Sequence, residues 1–175
     1  MEEIGVCGGE FDATNGVMRH LNCLQDHNRL TRRRALEAIR NEIFSNDTNN
    51  VAPDRGVVEA IIRPLLRVFS DPVEKCRELA IRTVSEVLEL TQEPRSFLQF
   101  VIPTLVQRLA QPEITEPSEE LRLQLIELTR STIDRCNVHV APYLNDLVLS
   151  RFFTRILKCF VGNPAEGALF TTVLI

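Results

Sequence analysis

Two marker residues recur along this chain, each at its own fixed interval. Arg32, Arg77 and Arg122 stand 45 residues apart at each step, and each opens a related string: Arg32-x-x-Ala35-Leu36-x-x-Ile39, Arg77-x-x-Ala80-Ile81-x-x-Val84 and Arg122-x-x-Leu125-Ile126-x-x-Thr129. A second mark runs beside the first. Pro64, Pro103 and Pro142 stand 39 residues apart, each inside a short apolar run such as Ile62-Arg63-Pro64-Leu65-Leu66. The apolar residues in each string recur at spacings of three and four, which places them on one face of a helix. Each interval therefore holds two helices, one with the proline and one with the arginine.

An interval of about 40–47 residues built from two helices is that of HEAT and armadillo arrays. A lone helical hairpin cannot cover its own apolar face, and stacking one on the next makes a continuous core. The expected fold is all-α: an α-solenoid of HEAT-type antiparallel helix hairpins, about three repeats. The arginine stands near the start of its helix, close to a turn, where it is placed to bond an acidic or carbonyl group of the adjacent hairpin. Arg32, Arg77, Arg122, Pro64, Pro103 and Pro142 are thus read as structural repeat positions.

Breaks in the periodicity set the boundaries. Residues 1–12 carry three glycines and little pattern and are expected to form a flexible tail, with the repeat region over 13–149. Ser45 to Asn50 is a run of short polar residues that compete for backbone hydrogen bonds and end a helix. Asp71-Pro72 reads as an N-cap followed by a first-turn proline, and Ser118 reads as a cap of the helix reaching about Asn137. Helices are expected over about 95–110 and from Val140 to Leu149. Residues 150–175 read as a divergent segment, partly helical and then loose. In that segment Phe152 to Phe160 offers apolar side chains to cap the array, and Gly162-Asn163-Pro164 breaks the helix.

Composition excludes several classes of function. Twenty Lys and Arg against 24 Asp and Glu leave a net charge of −4, whereas a nucleic-acid-binding domain usually carries a basic excess. No apolar run reaches the length of a membrane span. The five cysteines, at 7, 23, 76, 136 and 159, form no CxxC pair, which argues against zinc and against a disulfide framework and fits a reducing, cytoplasmic setting. No P-loop, GxGxxG, HExxH or GxSxG motif is present, and His20, His27 and His139 make no i, i+4 pair. No enzyme, cofactor or metal site is expected. One binding candidate stands out: Arg32-Arg33-Arg34, three cations in a first turn where the helix dipole disfavours them. It reads as a patch for an acidic partner, or as a solvated edge with Arg32 held in the repeat.

Whole strings, beyond the generic repeat, carry a resemblance. Arg32-Arg33-Arg34-Ala35-Leu36-Glu37-Ala38-Ile39-Arg40, the stretch from Leu65 to Ala80, Ser118-Glu119-Glu120-Leu121-Arg122-Leu123 and Val140-Ala141-Pro142-Tyr143-Leu144-Asn145-Asp146 resemble, in collinear order, the N-terminal region of the dynein axonemal assembly factor five family. The resemblance covers about residues 17–149. It implies a cytoplasmic, non-enzymatic scaffold for the preassembly of outer and inner axonemal dynein arms, needed for motile cilia. The implied partners are axonemal dynein subunits (intermediate and heavy chains), other assembly factors and chaperones, with no nucleic acid and no membrane. After Leu149 the family continues with another Asp-Pro and a further hairpin, whereas this chain reads Ser150-Arg151-Phe152-Phe153. A tubulin-binding HEAT module is the alternative. Modules of that kind use a Trp on their inter-helix loops, and this chain has none.

Overall fold

The structure, a computed structural model, describes residues 10–44, 53–109, 111, 114–144 and 147, with side chains from Gly16 onward. Expectations for the first nine residues, for the polar run at 45–50 and for 150–175 lie outside the described residues. Within them the chain is all-α, with six α-helices and no strand. In chain order these are α1 (Glu10–Cys23), α2 (Arg29–Phe44), α3 (Arg55–Val68), α4 (Glu74–Leu90), α5 (Leu98–Leu109) and α6 (Glu119–Cys136). Short 3-10 segments cover Pro94–Phe97 and Asn137–Tyr143. The molecule divides into two compact units, residues 1–100 and 101–175.

The first unit is two stacked hairpins. Helix α1 packs on α2 and α3 on α4, while α1 also meets α3 and α2 meets α4. First helices therefore lie against first helices, and second against second. Helix α3 buries Val58, Ile61, Ile62, Leu65 and Leu66 on one stripe at helical spacing. Helix α4 touches both α2 and α3, and its buried face is correspondingly wide: Cys76, Leu79, Ala80, Ile81, Val84, Val87 and Leu88. Thr83 is also fully buried there, because its hydroxyl donates to the Leu79 carbonyl at 2.7 Å and so leaves no polar atom unpaired. Burying a Leu or Ile in such a core contributes about 1.5–3 kcal/mol.

In the second unit, Val101, Ile102, Leu105 and Leu109 of α5 are buried, as are Leu121, Leu125 and Leu128 of α6. Thr129 and Thr132 repeat the Thr83 device by donating to the carbonyls of Leu125 and Leu128. Asn137 follows α6 with a positive φ of 43°.

Several boundaries differ from the sequence reading. Helix α1 starts at Glu10, three residues before the periodicity does. The N-cap of α4 is Val73; Asp71 stands two residues earlier, and its carboxylate accepts the Val73 N–H at 2.7 Å. Ser118 is at the N-cap of α6, but its side chain makes no capping bond. The helix expected from Arg95 begins as a 3-10 turn at Pro94, where proline fixes φ and supplies no N–H. The same winding takes the place of the first part of the α-helix expected from Val140, with Pro142 inside it, while Leu144 and Leu147 beyond it are α-helical. By contrast, α3 and α5 continue through Pro64 and Pro103.

Candidate functional site

The three marker arginines share one local geometry. Arg32 Nη1 donates to the carbonyls of Asp26 and His27 at 2.8 and 3.1 Å. Arg77 Nη1 donates to those of Asp71 and Pro72 at 2.9 and 3.4 Å. Arg122 Nη1 donates to those of Glu116 and Pro117 at 2.9 and 3.0 Å. In each case the acceptors lie six and five residues back, across the turn that enters the helix. These turn carbonyls have no helical donor, and the guanidinium supplies one.

An acidic residue begins each turn: Asp26, Asp71 and Glu116, again 45 residues apart. Each carboxylate accepts the backbone N–H two residues on, from Asn28 at 2.6 Å, Val73 at 2.7 Å and Ser118 at 3.1 Å. The acid closes the turn from one side and the arginine from the other. Asp71 stands out in the sequence only as an N-cap, and Asp26 and Glu116 not at all, although the interval of the arginines, counted six residues earlier, marks all three. Of the prolines, Pro103 and Pro142 are exposed and Pro64 is half-buried.

Within the first unit this device also joins two repeats. Arg32 Nε and Nη2 reach Asp71 Oδ2 and Oδ1 at 2.7 and 3.0 Å, a two-pronged fork between α2 and the turn before α4. The Arg32 side chain is only 11 % exposed and that of Asp71 only 7 %, so water screens the pair weakly. The bond to Asp71 holds the guanidinium still more firmly protonated than a free arginine. Two helical turns along α2, Arg40 makes a second fork to Glu86 of α4, at 3.0 and 2.8 Å. Planar forks of this kind fix direction as well as distance. Two of them about 12 Å apart set one hairpin against the next in rotation and in translation.

This geometry separates the three consecutive arginines. Arg32 is occupied by Asp71 and its own turn. Arg33 pairs with Glu37 one turn along, at 2.8 Å, with both half exposed. Arg34 is exposed and makes no ion pair among the described residues. The structure does not gather the triplet into one basic patch.

The second unit holds a deeper pair. Arg108 Nη2 meets Glu116 Oε2 at 2.8 Å, with side chains 8 % and 0 % exposed, and also donates to the Thr115 carbonyl at 3.1 Å. Cys76 and Cys136 are buried, and burial pushes both thiols up from the ordinary range, so each behaves as a small apolar side chain. Among the described residues no group of three or more His, Cys, Asp or Glu could hold a metal ion. No helix there is long and apolar enough to cross a membrane.

Comparison with known proteins places this repeat. The profile of a family described as dynein axonemal assembly factor 5-like, TPR repeats, matches residues 23–161. TPR and HEAT units are both helical hairpins, and the 45-residue interval seen here is the longer, HEAT-type one. A protein of Xenopus laevis named dynein axonemal assembly factor 5 is 40 % identical over 137 residues, 78 % of this chain and 16 % of the relative. Its namesake in Mus musculus is 35 % identical over 163 residues, 89 % of this chain and 19 % of the relative. That of Homo sapiens is 33 % identical over 159 residues, 87 % and 18 % respectively. The chain thus spans less than a fifth of the length of these relatives. No solved structure matches. With a shared profile over most of its length, the chain belongs to the dynein axonemal assembly factor 5-like family of helical repeat proteins.

Proposed function

We propose that this chain is a non-catalytic scaffold in the cytoplasmic preassembly of outer and inner axonemal dynein arms, and so serves motile cilia. Its partners in this reading are axonemal dynein intermediate and heavy chains, together with other assembly factors and chaperones. The observation that carries the proposal is the family match over residues 23–161, joined to relatives that bear the name of a dynein assembly factor. The architecture suits it. Hairpin repeats present long surfaces without a catalytic pocket, and the forks from Arg32 and Arg40 hold two hairpins in fixed register. Fold alone would not select this role.

Removing the protein from ciliated cells tests the proposal. Cilia are expected to form but not beat, and electron microscopy of their cross-sections is expected to show outer and inner dynein arms missing. Normal arms and normal beating would overturn it.

A further inference from the structure

Between the first helices of the two hairpins runs a groove of about 520 Å³. Met18, Leu21 and Leu24 of the first hairpin line one wall, and Ala60, Pro64 and Val68 of α3 line the other. Asn22, Gln25 and Ser70 add polar side chains to this lining, and the groove is open enough that Met18 remains 50 % exposed.

One feature gives the groove a polarity of its own. Arg67 stands at its edge, exposed, and makes no ion pair among the described residues. The other charge at the edge, Asp71, is engaged by both prongs of Arg32 and by the Val73 N–H. Among the described residues the groove therefore offers one positive group without a counter-charge.

We infer that this groove docks a peptide segment carrying a carboxylate beside apolar side chains. The apolar side chains fill the space between Met18 and Pro64, and the carboxylate meets the planar fork of Arg67. A basic peptide would bring like charge to Arg67, and a purely apolar one would leave that guanidinium against a dry surface. The inference deepens the scaffold reading by naming the chemistry of the partner segment.

The test uses the full chain and a short fluorescein-labelled peptide of alternating Leu-Asp pairs, read by fluorescence polarisation. Counterpart peptides carry Asn for Asp, Ser for Leu, or Lys for Asp. Saturable binding of the Leu-Asp peptide is expected, weakened about tenfold by the Asn change and lost with Ser. Arg67→Glu is expected to abolish binding of the Leu-Asp peptide and to create binding of the Leu-Lys peptide. Arg67 is exposed but lies in the last turn of α3, where Glu opposes the helix dipole, so the variant should remain folded and melt only a few degrees below the wild type. Met18→Glu should weaken every peptide. Equal binding of the acidic and neutral peptides, an Arg67→Glu variant that binds as before, or no binding at all would overturn the inference. The peptide assay contains no dynein. A groove that binds in a chain that recovers no dynein refutes the scaffold reading alone, and dynein recovery unaffected by Arg67→Glu refutes the groove alone.

Discussion

Replacing Asp71 with alanine removes three bonds at once. Both prongs of Arg32, at 2.7 and 3.0 Å, and the Val73 N–H, at 2.7 Å, lose their acceptor. Arg32 keeps only the two carbonyls of its own turn. Breaking a fully buried pair by removing one partner costs about 3–5 kcal/mol, whereas an exposed pair is worth about 0–1 kcal/mol. With side chains 11 % and 7 % exposed, this pair stands close to the buried limit. A loss of about 3 kcal/mol is expected, which for a chain of this size lowers the melting temperature by about 6–12 °C. Asp71→Asn keeps an acceptor for Val73 and one for Arg32, and is expected to cost about half as much. The assay is a circular-dichroism melt at neutral pH for the wild type, Asp71→Ala, Arg32→Met and the double variant. Strong coupling between the two sites is expected, so that the double variant is little worse than Asp71→Ala alone, and the difference should barely change as salt is raised. A loss below about 1 kcal/mol for Asp71→Ala, or independent effects of the two changes, would refute the claim that this fork locks one hairpin to the next.

Three further outcomes follow from the same geometry. Glu116→Ala leaves Arg108 buried without its carboxylate and is expected to cost about 3–5 kcal/mol in a urea titration, whereas an effect below about 1 kcal/mol would show that water reaches the pair. Gly16→Ala puts a Cβ 2.8 Å from the Glu42 carboxylate, the far end of a flexible, half-exposed side chain that can swing toward water; the gain in helix propensity should then win, with a melting temperature raised by about 1–3 °C. Cys76 and Cys136 have thiol pKa values raised in the folded state, so the stability they add is present below the ordinary thiol pKa of 9.0 and is lost as pH rises through the folded value. Melting temperature should accordingly fall at alkaline pH, and both thiols should resist a thiol reagent at pH 8 until the chain unfolds, whereas rapid labelling of the native protein would contradict their burial.

The helices and their inward faces were legible because burial follows period. Val58, Ile61, Ile62 and Leu65 announce their stripe in any reading of spacing, and they are buried. Helix entries were less legible. Asp71 before Pro72 has the composition of an N-cap, but its carboxylate is turned to an arginine 39 residues away, a long-range competitor that no local pattern displays. The three repeat prolines part company for a related reason, since Pro64 and Pro103 are carried inside α-helices as expected while Pro142 lies in a 3-10 segment, and local sequence does not distinguish the two surroundings. The triplet Arg32-Arg33-Arg34 allows two readings in the sequence, one basic patch or a solvated edge with Arg32 held in the repeat, and the geometry follows the second. On a helix, neighbours point about 100° apart, which is why one arginine is consumed in the core of the repeat, one pairs along the helix and one faces water. The acids at 26, 71 and 116 were available from the interval itself, once the arginines were known to need acceptors across the turn.

Recovery of dynein subunits by this chain tests the scaffold proposal most directly. The tagged chain is expressed in ciliated cells, the cytosolic fraction is captured on the tag, and axonemal dynein intermediate and heavy chains are quantified by mass spectrometry against a tagged helical-repeat protein of another family. Enrichment of the intermediate chains well above that control is the expected result. Recovery of intermediate and heavy chains no greater than with the control, from an extract in which both are abundant and the tagged chain is folded, would contradict the proposal.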